Sequence, residues 1–145
     1  MTSAAGGGSP TPHRIVDAAE LAPPSGFAHA VVAAHGRTVF LGGQIGMDGS
    51  GRVTAAGLVE QFDLALANLL TALRAAGGGP EHLASLTIYI VDVADYRAHA
   101  REFGAVWRRL AGTEYPAMAG IGIARLWDDD ALVEVQGVAE LPEQA

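Results

Sequence analysis

Between residues 57 and 76 apolar side chains recur every three or four positions, at Leu58, Phe62, Ala65, Leu66, Leu69 and Leu73. That spacing lays them along one stripe of an α-helix, with Glu60, Gln61, Asp63, Asn68 and Arg74 mostly off it. Gly77-Gly78-Gly79-Pro80 stops the helix, because glycine leaves the helical conformation cheaply and proline cannot continue it. A second stripe of Tyr96, Ala100, Phe103, Trp107 and Leu110 predicts a helix over 96–110. Asp92 or Asp95 is its candidate cap, and Arg97, Arg101, Glu102, Arg108 and Arg109 face outward. Elsewhere the pattern is that of strands. Residues 13–17 predict a short one, and 27–34 and 38–42 predict a hairpin turning at His35-Gly36-Arg37. Residues 86–91, LTIYIV, predict a strand with both faces buried.

The stretch 114–139 organises the rest. Two apolar runs flank Trp127-Asp128-Asp129-Asp130, which predicts a second antiparallel hairpin. In its second run Val133, Val135, Gly137 and Ala139 share one face, and Leu132, Glu134, Gln136 and Val138 share the other. In the first run Met118, Gly120 and Gly122 alternate with Ala117, Ala119, Ile121 and Ile123. Pairing of the two runs would lay a floor of small residues near Glu134. The element order is βββαβαββ, an α+β domain with a six-stranded mixed sheet and two helices on one face. The other face would carry Met118, Gly120, Leu132 and Val138. It is too apolar for water and implies a partner, most simply another copy in a closed ring. Three glycines within 42–46 signal a bulge or a close backbone approach. Residues 1–12, rich in Gly, Ser, Ala, Thr and Pro, read as a flexible tail, and 13–145 as one domain.

Composition narrows the chemistry. The chain has no cysteine, so thiolate nucleophiles, disulfides and cysteine metal sites are excluded. All nine basic residues are arginine, which excludes a Schiff-base lysine. The net charge of −7 argues against nucleic acid as a partner. The chain shows no apolar run of membrane-spanning length and no signal segment, so a cytoplasmic location is expected and a membrane partner is not. The five histidines have no tight metal spacing, and no metal or other cofactor is expected. Residues 42–46 lack the lysine and the strand-to-helix context of a phosphate loop.

Taken together, PSGFAHAV (24–31), VFLGGQIGMDGSG (39–51), EQFDLALANLLTALRAAGG (60–78), LTIYIVDVADYRAHAREF (86–103), YPAMAGIGIARL (115–126) and ALVEVQGVA (131–139) resemble the YjgF/RidA (Rid) family, also called the L-PSP endoribonuclease family. The resemblance implies a chorismate-mutase-like fold, a homotrimer with clefts between subunits, and hydrolysis of enamines and imines to keto acids and ammonia. It implies that Glu134 positions the attacking water, beside Gly43 and Gln44. At other site positions this chain departs from the family. Met118 stands at the arginine that clamps a substrate carboxylate, Phe27 at a tyrosine, Gly42 at a serine, Gly120 at a frequent cysteine and Gln136 at a second glutamate.

These substitutions make the implied cleft more apolar and roomier. A small 2-imino acid would lose a charge-assisted clamp worth about 1.5–3 kcal/mol per bond. The expected substrate is therefore larger or less charged, and the expected step is imine or enamine hydrolysis or a related tautomerisation. Two function classes stay open: an enzyme using Glu134, or a non-catalytic trimer that binds a small molecule or a protein. His29 also has two readings, as a cleft-lining group next to Phe27 or as a strand histidine satisfied by hydrogen bonds.

Overall fold

The computed structural model describes residues 9–143. Its element order is β1 (Arg14–Val16), β2 (Ala30–Val32), β3 (Gly36–Ile45), α1 (Leu58–Ala75), β4 (Leu83–Ile90), α2 (Val93–Ala98), α3 (Ala100–Ala111), β5 (Ala117–Gly122) and β6 (Val133–Pro142). The expected stripe of α1 is buried, with Leu58, Phe62, Ala65, Leu66, Leu69, Leu70 and Leu73 packed on β3 and β6. The glycine stop works through Gly77, whose φ of +96° is left-handed. The Gly77 and Gly78 N–H groups then donate back to Arg74 O and Leu73 O, both at 2.9 Å.

Instead of one six-stranded sheet there are two. β1 and β2 form a two-stranded antiparallel ribbon, and the main sheet runs β3-β6-β4-β5. Neither predicted hairpin forms. β2 pairs with β1, while β3 gives its long edge to β6, which matches its length of ten residues. The His13 ring fixes this split: its Nδ1 accepts from Ala34 N (3.1 Å) and its Nε2 bonds His82 O (2.8 Å). β4 inserts between the two runs of the second predicted hairpin, antiparallel to β6 and parallel to β5.

Both helical segments lie on one face of the main sheet, as expected. The second is broken at His99, where φ −117° and ψ 25° leave the helical region. Asp92 caps α2 by accepting from Asp95 N at 3.0 Å. Phe62 of α1 meets Phe103 of α3 edge-on at 4.8 Å. No described helix is long and apolar enough to cross a membrane. Of the expected tail, residues 1–8 lie outside the described residues; within 9–12, Thr11 N donates to Glu114 Oε1 at 2.8 Å.

Candidate active site on the open sheet face

Residues directly opposite one another in a sheet share a face. In β6, Val133 and Val135 face the helices together with their β4 partners Ile90 and Ile88. Glu134 and Gln136 therefore face the other way, opposite Tyr89 and Thr87. On the β3 side Glu134 is opposite Ile45. This alternation is the one read from the sequence. It leaves Glu134 half-buried on a face that no helix covers.

The support for Glu134 comes from a bulge in β3. Leu41 pairs with Gly137 and Gln44 with Val135, so Gly42 and Gly43 together oppose the single residue Gln136. The Glu134 side chain lies directly over Gly43. A Cβ built on Gly43 would sit 2.2 Å from Glu134 Oε1, so only glycine leaves room for the carboxylate as it stands. Gly42 has nothing within 4 Å of such a Cβ and is open to solvent. Gly46, the third glycine, serves packing: its Cβ would come 2.8 Å from Gln61 Cα, where α1 crosses the end of β3. Both expectations for this cluster are met, at different glycines.

A shallow hollow of about 420 Å³ opens over this arrangement. Glu134, Gln136 and Gly43 line it together with Tyr89, Arg125 and Trp127. Tyr89 Oη donates to Gln136 Oε1 at 3.1 Å, which orients the amide and leaves its NH₂ as a free-pointing donor. Arg125 pairs with Asp129 through Nη2 and Oδ1 at 3.2 Å. A carboxylate, an amide donor, a phenol and the unpaired backbone of a bulge can hold a water and accept or return its proton. Among the described residues no group of three or more His, Asp or Glu side chains is placed to hold a metal ion.

The remaining predicted site residues lie elsewhere. Met118 and Gly120 pair with Leu86 and Ile88 and so belong to the helix face. The expected floor of small residues beside Glu134 is thereby corrected. Its premise was that β5 and β6 are neighbours, and the intervening β4 fixes the opposite phase. Phe27 contacts His29 edge-on at 5.9 Å, and neither lines the hollow. His29 Nδ1 accepts from Ala18 N and its Nε2 bonds Ala22 O, both at 3.0 Å, so it is a hydrogen-bonded residue that holds a loop. Gln44 sits half-buried in register with Val135. Tyr89 and Arg125 are the site neighbours that the sequence reading missed. The alternation within LTIYIV was a usable signal for Tyr89, but only once β4 was known to adjoin β6.

A family model described as Endoribonuclease L-PSP matches residues 18–141. The chain is 31% identical over 104 residues to a 2-iminobutanoate/2-iminopropanoate deaminase of Capra hircus, covering 71% of this chain and 72% of that protein. It is 31% identical over 128 residues to the RutC family protein UK114 of Drosophila melanogaster, covering 87% and 88%. Among solved structures, YyfB of Yersinia pestis, a protein of unknown function in the conserved Rid protein family, matches with a TM-score of 0.81. That match has 28% identity and covers 89% of this chain and 98% of that one.

Proposed function

We propose, from the premise that this chain belongs to the endoribonuclease L-PSP family, the YjgF/RidA family its sequence resembles, that it hydrolyses or tautomerises an imine or enamine in a cleft between subunits of a homotrimer. The observation that carries this reading is the Glu134 carboxylate seated over the Gly43 bulge on the open sheet face. For hydrolysis, Glu134 takes a proton from a bound water as the water oxygen bonds to the imine carbon. The proton passes to the nitrogen to give the carbinolamine; Glu134 then takes the hydroxyl proton and returns it to the nitrogen as the carbon–nitrogen bond breaks, and a ketone and ammonia leave. The Gln136 amide and the bulge backbone offer donors to the oxygen.

Assembly is supported by what this face exposes. Phe40 is 81% exposed and Trp127 99%, an arrangement that water disfavours and a neighbouring copy would cover. Within one chain Met118 and Gly120 face away from Glu134, and Phe27 does not line its hollow. In this reading they enter the cleft from the adjacent copy. With methionine, phenylalanine and glycine in place of arginine, tyrosine and serine, the preferred substrate is larger or less charged than 2-iminobutanoate. That compound, the substrate in the goat relative's name, should turn over slowly here. The net charge of −7 supports a small molecule over RNA.

The test is Glu134→Gln, assayed by ammonia release from imines generated in situ, over a series of increasing side-chain size. The variant should keep its mass in solution and lose roughly 10²- to 10⁴-fold in turnover. Equal turnover in wild type and variant would remove Glu134 from the mechanism. A wild type inactive on the whole series would leave the binding-module reading.

A further inference from the structure

Three of the five histidines are committed to one protonation state by the backbone around them. His13 Nδ1 accepts from Ala34 N at 3.1 Å, His29 Nδ1 from Ala18 N at 3.0 Å, and His82 Nδ1 from Gly79 N at 2.9 Å. A backbone N–H only donates, so each of these Nδ1 atoms must be bare. His13 Nε2 faces His82 O at 2.8 Å and His29 Nε2 faces Ala22 O at 3.0 Å, and a carbonyl only accepts. Both rings are therefore the neutral tautomer with its proton on Nε2. A second ring proton would stand against the N–H that now donates, and the bond would be lost.

The three rings lie along one seam. β1 and β2 pair with each other and share no ladder with the main sheet. His13, buried at 7% exposure, joins this ribbon to the 3₁₀ turn Pro80–His82 that precedes β4, and clips Ala34 just past β2. His29 closes the loop between the two strands by holding Ala18 and Ala22 at its two nitrogens. The His82 ring braces the turn that presents the carbonyl His13 uses. The charged groups that face these rings are carboxylates. Glu81 Oε1 is 3.8 Å from His82 Nδ1, Asp17 Oδ1 accepts from His29 N at 3.3 Å, and Glu114 Oε1 accepts from the N–H of Thr11, whose hydroxyl accepts from His13 N. Arg14, next to His13, is exposed. Glu81 offers a protonated His82 a new partner in place of the Gly79 N–H. No histidine takes part in the β3-β6-β4-β5 ladders or in the hydrophobic core.

We propose that His13, His29 and His82 form an acid-released latch: their neutral rings hold the β1–β2 ribbon to the domain, and their protonation frees it while the main sheet persists. An imidazole in water takes up its second ring proton at about pH 6.5. Because the neutral ring is the bound form, the stability these bonds contribute is present at neutral pH and is lost as pH falls. Release frees the loop that carries Phe27, which otherwise rejoins the sheet where Ala28 N donates to Pro116 O at 3.0 Å. An effect of that release on the inter-subunit cleft rests on the proposed function; the latch itself does not.

The test is hydrogen exchange of the full chain, followed by NMR at the Ala18 and Ala34 amides at about pH 7.5 and about pH 5, and corrected for the pH dependence of unprotected amides. Protection at both amides should fall by roughly tenfold or more on acidification, the effect of losing ring-to-backbone bonds, while the β3–β6 ladder keeps its protection. His13→Asn/His29→Asn leaves a side-chain oxygen as acceptor that takes up no proton in this range, and should stay protected at the lower pH. Nitrogen NMR of the wild-type rings needs no variant to fold: Nδ1 of His13, His29 and His82 should be bare at the higher pH and protonated at the lower. A protonated Nδ1 on any of the three at the higher pH would overturn the proposal. So would unchanged protection in the wild type, the same loss in the asparagine variant, or an equal loss across the β3–β6 ladder, which would be general acid unfolding. None of these readings uses turnover, so their failure leaves the role of Glu134 untouched.

Discussion

Gly43→Ala separates the support of the Glu134 carboxylate from the support of the fold. The added Cβ would stand 2.2 Å from Glu134 Oε1 and 2.9 Å from Cδ, where ordinary contact begins at 3.4 Å. The carboxylate must retreat by at least 1.2 Å, the difference between the first and last of those distances. Gly43 does not have a positive φ, so alanine meets no backbone strain. The displaced group is the far end of a flexible, half-buried side chain, so the cost in stability should stay below about 1 kcal/mol. The cost in turnover should be large, because misplacing a catalytic group by about 1 Å can remove roughly 10²-fold. Two other glycines serve as controls. Gly42→Ala adds a methyl to open space within one chain and should leave stability unchanged, with a smaller loss of rate than Gly43→Ala. Gly36→Ala drives its Cβ to within 2.7 Å of Leu141 backbone carbon and should destabilise the β3–β6 pair. The assay is ammonia release from one imine under saturating conditions, with thermal melting of each variant. Full turnover in Gly43→Ala would refute the placement of Glu134 at the reacting centre. An equal loss in Gly42→Ala would move the chemistry from the carboxylate to the bulge backbone.

Assembly can be tested by sedimentation, which should give three times the chain mass of 14.9 kDa, whereas Phe40→Asp should sediment as one chain. Gln61 is 1% exposed; it donates to Ala55 O and Asp130 O and accepts from Leu132 N. Gln61→Leu strands three backbone groups and should cost roughly 2–5 kcal/mol by urea denaturation. His99 should titrate above its ordinary value of 6.5, chiefly because its ring donates to the Asp95 backbone carbonyl and secondarily because of nearby carboxylates. Its folded-state pKa is raised, so its contribution to stability is present below about pH 6.5 and is lost as pH rises through the folded value. NMR titration of Asp95→Asn should show a smaller shift that persists, since the carbonyl remains.

Local patterns in the sequence were reliable where a single element decides them. The stripe of α1, the stop after it and the two faces of β6 follow from one period each, and each is observed. Gln61 was read as lying off the buried stripe because its partners, Ala55, Asp130 and Leu132, belong to loops that periodicity does not place. The second predicted hairpin failed for a similar reason. Two apolar runs around an acidic turn look alike whether they pair with each other or with a third strand between them. The decision lies in β4, whose Leu86, Ile88 and Ile90 match both Met118–Gly122 and Val133–Gly137 in register. Glu134 and Gly43 were legible because alternation and a glycine cluster mark them. Tyr89 and Arg125 were not, because they reach the hollow only through that pairing.

The candidate site positions are distributed unevenly over the fold. Glu134, Gly43 and Gln136 gather on the open face of one chain, and Gln136 accepts the Tyr89 hydroxyl there. Met118 and Gly120 lie across the sheet, and Phe27 stands on the loop leading to β2. In the proposed trimer each cleft draws the first group from one copy and the second from its neighbour. A change at Met118 therefore reshapes the wall opposite Glu134 without disturbing the bulge that seats the carboxylate. Proton transfer and substrate choice then rest on separate structural supports. The wall can become apolar while the acid–base group stays in place. The same separation predicts that Met118→Arg alters which imine is preferred while leaving the effect of Gly43→Ala on turnover unchanged. Coupling between the two substitutions, measured as a double-mutant cycle on kcat, should be close to zero, and strong coupling would show that both groups act as one unit on the reacting atoms.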